Sequence, residues 1–157
     1  MTDEMRRRDR EKTEAFARET AEAADWATLS TANEAGEPYG VAVSPVIEGN
    51  VIYFHGAKEA GRKFRNMEAN PHVSLLFVSR AKVLSADFAC DYRSAIFEGD
   101  VTRVSDPVER LHAFWKIAER YSGRESVDTR REYMERFAAA ADIWRVDVKK
   151  ISAKARS

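Results

Sequence analysis

The chain has 157 residues, enough to bury a core of its own, so one domain spanning 1–157 is expected, with an N-terminal helical arm at about 1–24. Lysine plus arginine number 26 and aspartate plus glutamate also 26, so the molecule lacks the positive field of a general nucleic-acid or anionic-membrane binder, and any anion site must be local. The single cysteine, Cys90, excludes an intramolecular disulfide and a paired-thiolate zinc site; with a charged start and no stretch near the roughly twenty apolar residues that span a bilayer, the expectation is a cytoplasmic protein without membrane insertion.

Lys12 to Ala24 contains no Gly or Pro and offers Glu14/Arg18 and Arg18/Glu22 at i,i+4 spacing, which predicts a helix with a thin apolar face of Phe16 and Thr20 to Ala23. The preceding Met5-Arg6-Arg7-Arg8-Asp9-Arg10 is either a docking arm or a solvated end of mixed charge. From Trp26 the period changes to two, with Ala27, Leu29 and Thr31 alternating with Thr28 and Ser30. A turn at Glu34 to Glu37 leads into a second strand, Pro38 to Ile47, which should end or bulge at Pro45 because proline has no N–H to donate. Glu48-Gly49-Asn50 turns the chain into a third strand, Val51 to His55.

The segment His55 to Met67 reads as strand end, glycine-bearing turn and short basic helix, with Ala60, Phe64 and Met67 forming an apolar stripe and Lys58, Arg62 and Arg65 on another side. A helix N-terminus offers free N–H groups and partial positive charge. Gly56 and Gly61 let a phosphate approach closely, and Arg62 or Lys63 supplies full charge. The same residues also fit a solvated basic face with Glu59/Lys63 as a surface pair. Beyond Asn70-Pro71, His72 to Ser79 reads as a buried strand, Ala81 to Cys90 as a loop or short strand, and Tyr92 to Val104 as a long strand whose Gly99 marks a bulge or bend. Asp106 as N-cap and Pro107 in the first turn open a helix carrying Leu111, Phe114, Trp115, Ala118 and Tyr121, closed by Ser122-Gly123. A further helix from about Asp128 to Ala140 carries Tyr133, Met134 and Phe137, and Ile143, Trp144, Val146 and Val148 form a last strand. The helix aromatics and Trp144 read first as core, and Cys90 is given no role.

Several motifs occur in a fixed order: Met5-Arg6-Arg7 with Asp9-Arg10, Gly36-Glu37-Pro38-Tyr39, Val43-Ser44-Pro45-Val46, Tyr53-Phe54-His55-Gly56-Ala57, Gly61-Arg62-Lys63 and Asn70-Pro71-His72-Val73. Tyr92-Arg93-Ser94, Phe97-Glu98-Gly99 and Val104-Ser105-Asp106-Pro107 complete the series. Together they resemble the FMN-binding split-barrel family related to pyridoxamine 5'-phosphate oxidase, in particular its 5-nitroimidazole-resistance reductase branch. The resemblance implies a mainly β fold, a six-stranded antiparallel split barrel with peripheral helices, and a homodimer with FMN at the interface. It implies that Val43, Ser44 and Pro45 lie beside the isoalloxazine ring and that His55, Gly56 and Ala57 pass along the cofactor. Gly61, Arg62 and Lys63 hold its phosphate in that scheme, loop length deciding which of the two cationic side chains meets it. Tyr92, Arg93 and Ser94 reach the site from a strand of either subunit, and Trp144 is a candidate wall of the pocket.

The activity so implied is transfer of a hydride or electron pair through FMN to a small electrophile such as a nitroaromatic, with reduced nicotinamide as candidate donor and His55 as candidate proton donor. The alternative is a non-catalytic flavin or haem binder serving storage or sensing. The pyridoxamine phosphate oxidases use a downstream Arg and His pair on their substrate, and this chain has no histidine after His112, so vitamin B6 oxidation is not expected. Related barrels also bind haem or a deazaflavin, for which His55 or His72 would be the residue available to iron.

Overall fold

Period-two patterning gives strands and the Gly- and Pro-marked breaks give turns, and the computed structural model, which describes residues 4–156, places them in one antiparallel sheet. The elements are β1 (Glu11–Lys12), α1 (Glu14–Ala23), β2 (Ala27–Ala32), β3 (Pro38–Val43), β4 (Val46–Glu48) and β5 (Val51–Ala57). They continue with α2 (Gly61–Ala69), β6 (His72–Leu84), β7 (Ala89–Arg103), α3 (Pro107–Ser122), α4 (Val127–Phe137) and β8 (Ala141–Arg156). The first three residues of the expected N-terminal arm and Ser157 lie outside the described residues.

The strand order is β3-β2-β6-β7-β8-β5-β4, with β1 paired to β8. The edge strands β3 and β4 are consecutive in sequence, separated by Ser44 and Pro45. The proline cannot continue the ladder, so the two edges of the curled sheet are joined by chain and not by hydrogen bonds, which is the split in the barrel. Leu29, Val43, Phe54, Leu75, Phe97 and Trp144 from six strands fill one interior cluster; each such side chain contributes roughly 1.5–3 kcal/mol by leaving water.

Six strands have six residues or more, as the resemblance implies, but the total is eight. Pro45 makes β4 a separate three-residue strand, and the two-residue β1 adds to β8. Ala81–Leu84 continues β6 where a loop or short strand was expected, pairing with Ala89–Tyr92 around a 3₁₀ turn at Ser85–Asp87. This extension projects into solvent on both faces, with Val83 78% and Phe88 100% exposed, so its sequence carries no alternation to read. Leu111, expected on a buried face, is 63% exposed; the buried face of α3 runs through Ala113, Phe114 and Ile117.

Two local expectations are met in detail. The ladder between β7 and β8 shifts register at Glu98/Gly99, and a Cβ on Gly99 would lie 2.1 Å from the Asp147 carbonyl oxygen, so only glycine fits the bulge. Asp106 caps α3 by accepting the Glu109 N–H at 2.8 Å, with Pro107 in the first turn. α3 is then tied to the barrel through Glu109, which accepts from the Tyr53 hydroxyl at 2.8 Å and from Arg145 at 2.9 Å. Burial, reinforced by the bond to that carboxylate, pushes the Tyr53 phenol up to about 12. Among the described residues no helix is long and apolar enough to cross a membrane.

Candidate functional site

The split exposes backbone that a continuous sheet would cover. Val43 and Ser44 at the end of β3 and His55, Gly56 and Ala57 at the end of β5 line a cleft of about 310 Å³, with Trp26 at its mouth and Lys63 from α2 reaching over it. Gly56 makes room for that lysine: a Cβ there would lie 3.0 Å from Lys63 Cε and 3.4 Å from Nζ. α2 begins at Gly61 with φ +88, a conformation that favours glycine, and Ala60 before it gives no side-chain cap, so no side chain occupies the first-turn N–H groups.

The turn before α2 is held from below. Glu59 has φ 49, and its N–H donates to Asp142 Oδ2 at 2.8 Å. Asp142 is 3% exposed and also faces Arg103 Nε at 3.3 Å, while Arg103 donates to Glu59 Oε1 at 2.9 Å. The surface pair Glu59/Lys63 open from the sequence is therefore not made; Glu59 is engaged by Arg103, and Lys63 has no ion-pair partner among the described residues. Burial pushes the half-buried Lys63 ammonium below the usual lysine pKa. His55 is reached by solvent from the cleft, yet the atoms around its ring withhold enough water to push its pKa below the usual imidazole value, and the Lys63 charge adds to this. An imidazole in that state is neutral at neutral pH.

Residues of the cleft also border a second space. Ser44, His55, Gly56 and Ala57 also border a chamber of about 490 Å³ roofed by α3 and α4, with Phe114, Ile117, Met134 and Phe137 among its apolar lining. Tyr121, which also borders the chamber, donates its hydroxyl to the Pro45 carbonyl at 2.6 Å and so fastens α3 to the split itself. Arg110 fixes the other end of α3, donating to the Ala138 carbonyl and, at 2.5 Å, to the Ala141 carbonyl.

The structure thus brings Val43, Ser44, His55, Gly56, Ala57 and Lys63 together, with Pro45 and Gly61 in the adjoining backbone. Arg62 is not among them: its guanidinium lies over the Tyr39 ring at 4.8 Å, toward the β2–β3 hairpin. Tyr92, Arg93 and Ser94 lie on β7, away from the cleft in this chain. The Tyr92 hydroxyl accepts from Arg10 at 3.4 Å, Arg93 stacks on Phe16 at 4.3 Å, and Ser94 donates to the Lys154 carbonyl at 3.3 Å. Trp144 is 2% exposed and packs edge-on against Phe64 inside the barrel, bordering neither space. Among the described residues no three His, Cys, Asp or Glu side chains gather as a metal-holding group.

Sequence reasoning missed Asp142 and the chamber. The signal for the first was a lone carboxylate at the start of an apolar strand, Asp142-Ile143-Trp144, which costs too much to bury without partners. The chamber residues were read as core because one helical stripe looks the same whether it packs on protein or borders a cavity.

The model of the pyridoxamine 5'-phosphate oxidase family matches residues 13–155. No curated protein matches the chain significantly. Among solved structures, a candidate 5-nitroimidazole antibiotic resistance protein of Bacteroides thetaiotaomicron is similar, with TM-score 0.75 and 22% identity over 91% of this chain and 84% of that one. An FAD-binding protein of Mesorhizobium loti aligns with TM-score 0.67 and 18% identity over 94% of this chain and 98% of that one. The haem storage protein HutZ of Vibrio cholerae aligns with TM-score 0.68 and 17% identity over 90% and 94%. At these identities the likeness is one of fold.

Proposed function

The chain belongs to the pyridoxamine 5'-phosphate oxidase family, and from that premise we propose that it acts as a single-domain homodimer in the cytoplasm, binds FMN in the cleft and reduces a small electrophile such as a nitroaromatic. The observation that carries the reading is Lys63, a half-buried lysine without an ion-pair partner among the described residues, which stands in the first turn of a helix that has no side-chain N-cap and reaches over the glycine-opened strand end in the cleft. This donor set suits a phosphate monoester: first-turn amides of α2 donate to its oxygens while Lys63 supplies charge. Lys63 takes the role that the sequence left open between it and Arg62. Val43 to Pro45 and His55 to Ala57 offer backbone to a flat ring across the split.

When bound, the flavin supplies the hydride and electron chemistry. His55 then presents a ring nitrogen to whatever lies at the wall shared by cleft and chamber, and passes a proton to a reduced nitro or carbonyl oxygen. A phosphate beside Lys63 cancels part of the charge that lowers the His55 pKa, so occupancy of the cleft raises that pKa back toward the usual imidazole value and favours the protonated ring that donates.

Dimerisation is supported by apolar surface next to the cleft. Leu76 and Ile96, opposite each other on β6 and β7, are 36% and 38% exposed, Val78 42% and Trp26 54%. A second copy covering this face would account for it.

Assay of the purified protein with reduced nicotinamide and a panel of nitroaromatics and quinones tests the proposal. Turnover is expected, and His55→Ala should lower turnover more than flavin content; unchanged turnover with intact flavin removes His55 from the chemistry. A second reading, non-catalytic flavin or haem binding, is favoured by one feature, the neutral His55 imidazole, which makes no hydrogen bond among the described residues and suits an iron ligand. Bound cofactor without turnover on any acceptor would select it.

A further inference from the structure

The chamber beneath α3 and α4 is unused by the cofactor-binding account, and we propose that it is the binding site for a compact aromatic acid, held with its ring in the apolar lining and its carboxylate at Arg130. The identity of its other end, a reducible group facing His55 to Ala57, rests on the flavin reading; the binding itself does not.

Three observations carry this. The chamber's volume of about 490 Å³ falls in the range of small-molecule sites, and its lining is the usual one, apolar side chains with a few placed polar groups. Phe114, Ile117, Met134 and Phe137 supply faces and edges for a ring. It also shares Ser44, His55, Gly56 and Ala57 with the cleft, so a ligand in it lies against residues that also border the cleft.

Arg130 supplies the anion preference. It borders the chamber from α4, its guanidinium lies over the Trp115 ring at 5.2 Å, and its Nε is buried without a hydrogen-bond acceptor. Among the described residues no carboxylate pairs with it. A planar guanidinium fixed by stacking keeps its remaining N–H groups free to meet a carboxylate in a fork. Glu125 also borders the chamber, but it is exposed in the loop between α3 and α4, where water and salt screen its charge. Arg130 is only partly exposed and keeps more of its field.

The test is calorimetric titration of the FMN-loaded protein with 4-nitrobenzoate and, separately, nitrobenzene. The acid should bind, and Arg130→Met should weaken it by about tenfold or more, the value of a charge-assisted hydrogen bond, while leaving nitrobenzene unchanged. Ala118→Phe, which puts a ring into the chamber, should abolish binding of both with the flavin absorption intact. If that variant does not fold, judged by circular dichroism, Arg130→Met decides alone. Equal affinity of wild type and Arg130→Met for the acid overturns the proposal, as does failure of both probes to bind FMN-loaded protein, which would leave the chamber to a protein segment. Protein that takes up no FMN yet binds 4-nitrobenzoate in an Arg130-dependent way supports the chamber and removes the flavin reading.

Discussion

Replacing Lys63 by Met separates a phosphate site from a merely basic helix face. Methionine keeps the apolar stem as far as Cε over Gly56 and removes the ammonium with its charge and N–H donors. Lys63 makes no ion pair among the described residues, so the substitution leaves no buried partner unsatisfied. A hydrogen bond to a charged group is worth about 1.5–3 kcal/mol net, which corresponds to a loss of about 10- to 150-fold in FMN affinity. Riboflavin has the same ring without the phosphate and should lose less than about twofold on the same scale. The sign for stability is opposite. Burial lowers the Lys63 pKa, so the folded apoprotein binds the proton less readily than the unfolded chain, and the ammonium opposes folding below its unfolded pKa. The melting temperature of the apoprotein should therefore hold or rise. Fluorescence titration of both flavins into wild type and variant reads the result. Equal losses for FMN and riboflavin, or no loss for either, would refute the assignment of the phosphate to Lys63.

Asp142→Ala should destabilise the protein by about 3 kcal/mol, because it leaves Arg103 short of a partner and the left-handed Glu59 without its acceptor; a urea midpoint measures this, and FMN affinity should fall with it. Gly99→Ala forces a Cβ onto the Asp147 carbonyl and should cost at least about 1–3 kcal/mol by the same measurement, with the flavin site spared if the protein folds. Tyr121→Phe, which frees the Pro45 carbonyl, should cost about 1 kcal/mol and speed flavin release in stopped flow. His55 has a folded pKa below its unfolded value, so the folded state binds fewer protons between the two and stability falls as pH drops through that window; thermal melts across the imidazole range should show this component, and His55→Gln should remove it.

How far the residues announced the fold depends on whether a physical signal was local. Pro45, Gly99, Asp106 and Pro107 each act through their own backbone or the next turn, and each break, bulge or cap stands where their chemistry requires. The β6–β7 extension was obscured because exposure on both faces erases alternation, and β1 because two residues form no pattern. The site was legible where it is continuous in sequence, from His55 to Lys63. What brings Ser44 beside His55, or seats Asp142 under Glu59, is pairing at long range, which no window of sequence records. Arg62 and Lys63 are neighbours of one charge, and the helix phase sends Lys63 to the cleft and Arg62 to Tyr39.

The central claim is that this cleft holds a flavin by its phosphate. The visible spectrum of freshly purified protein, with mass identification of what dissociates on denaturation, tests it most directly. Flavin bands with FMN as the released species are the predicted result; a Soret band, or a colourless protein that also refuses added FMN, would contradict it.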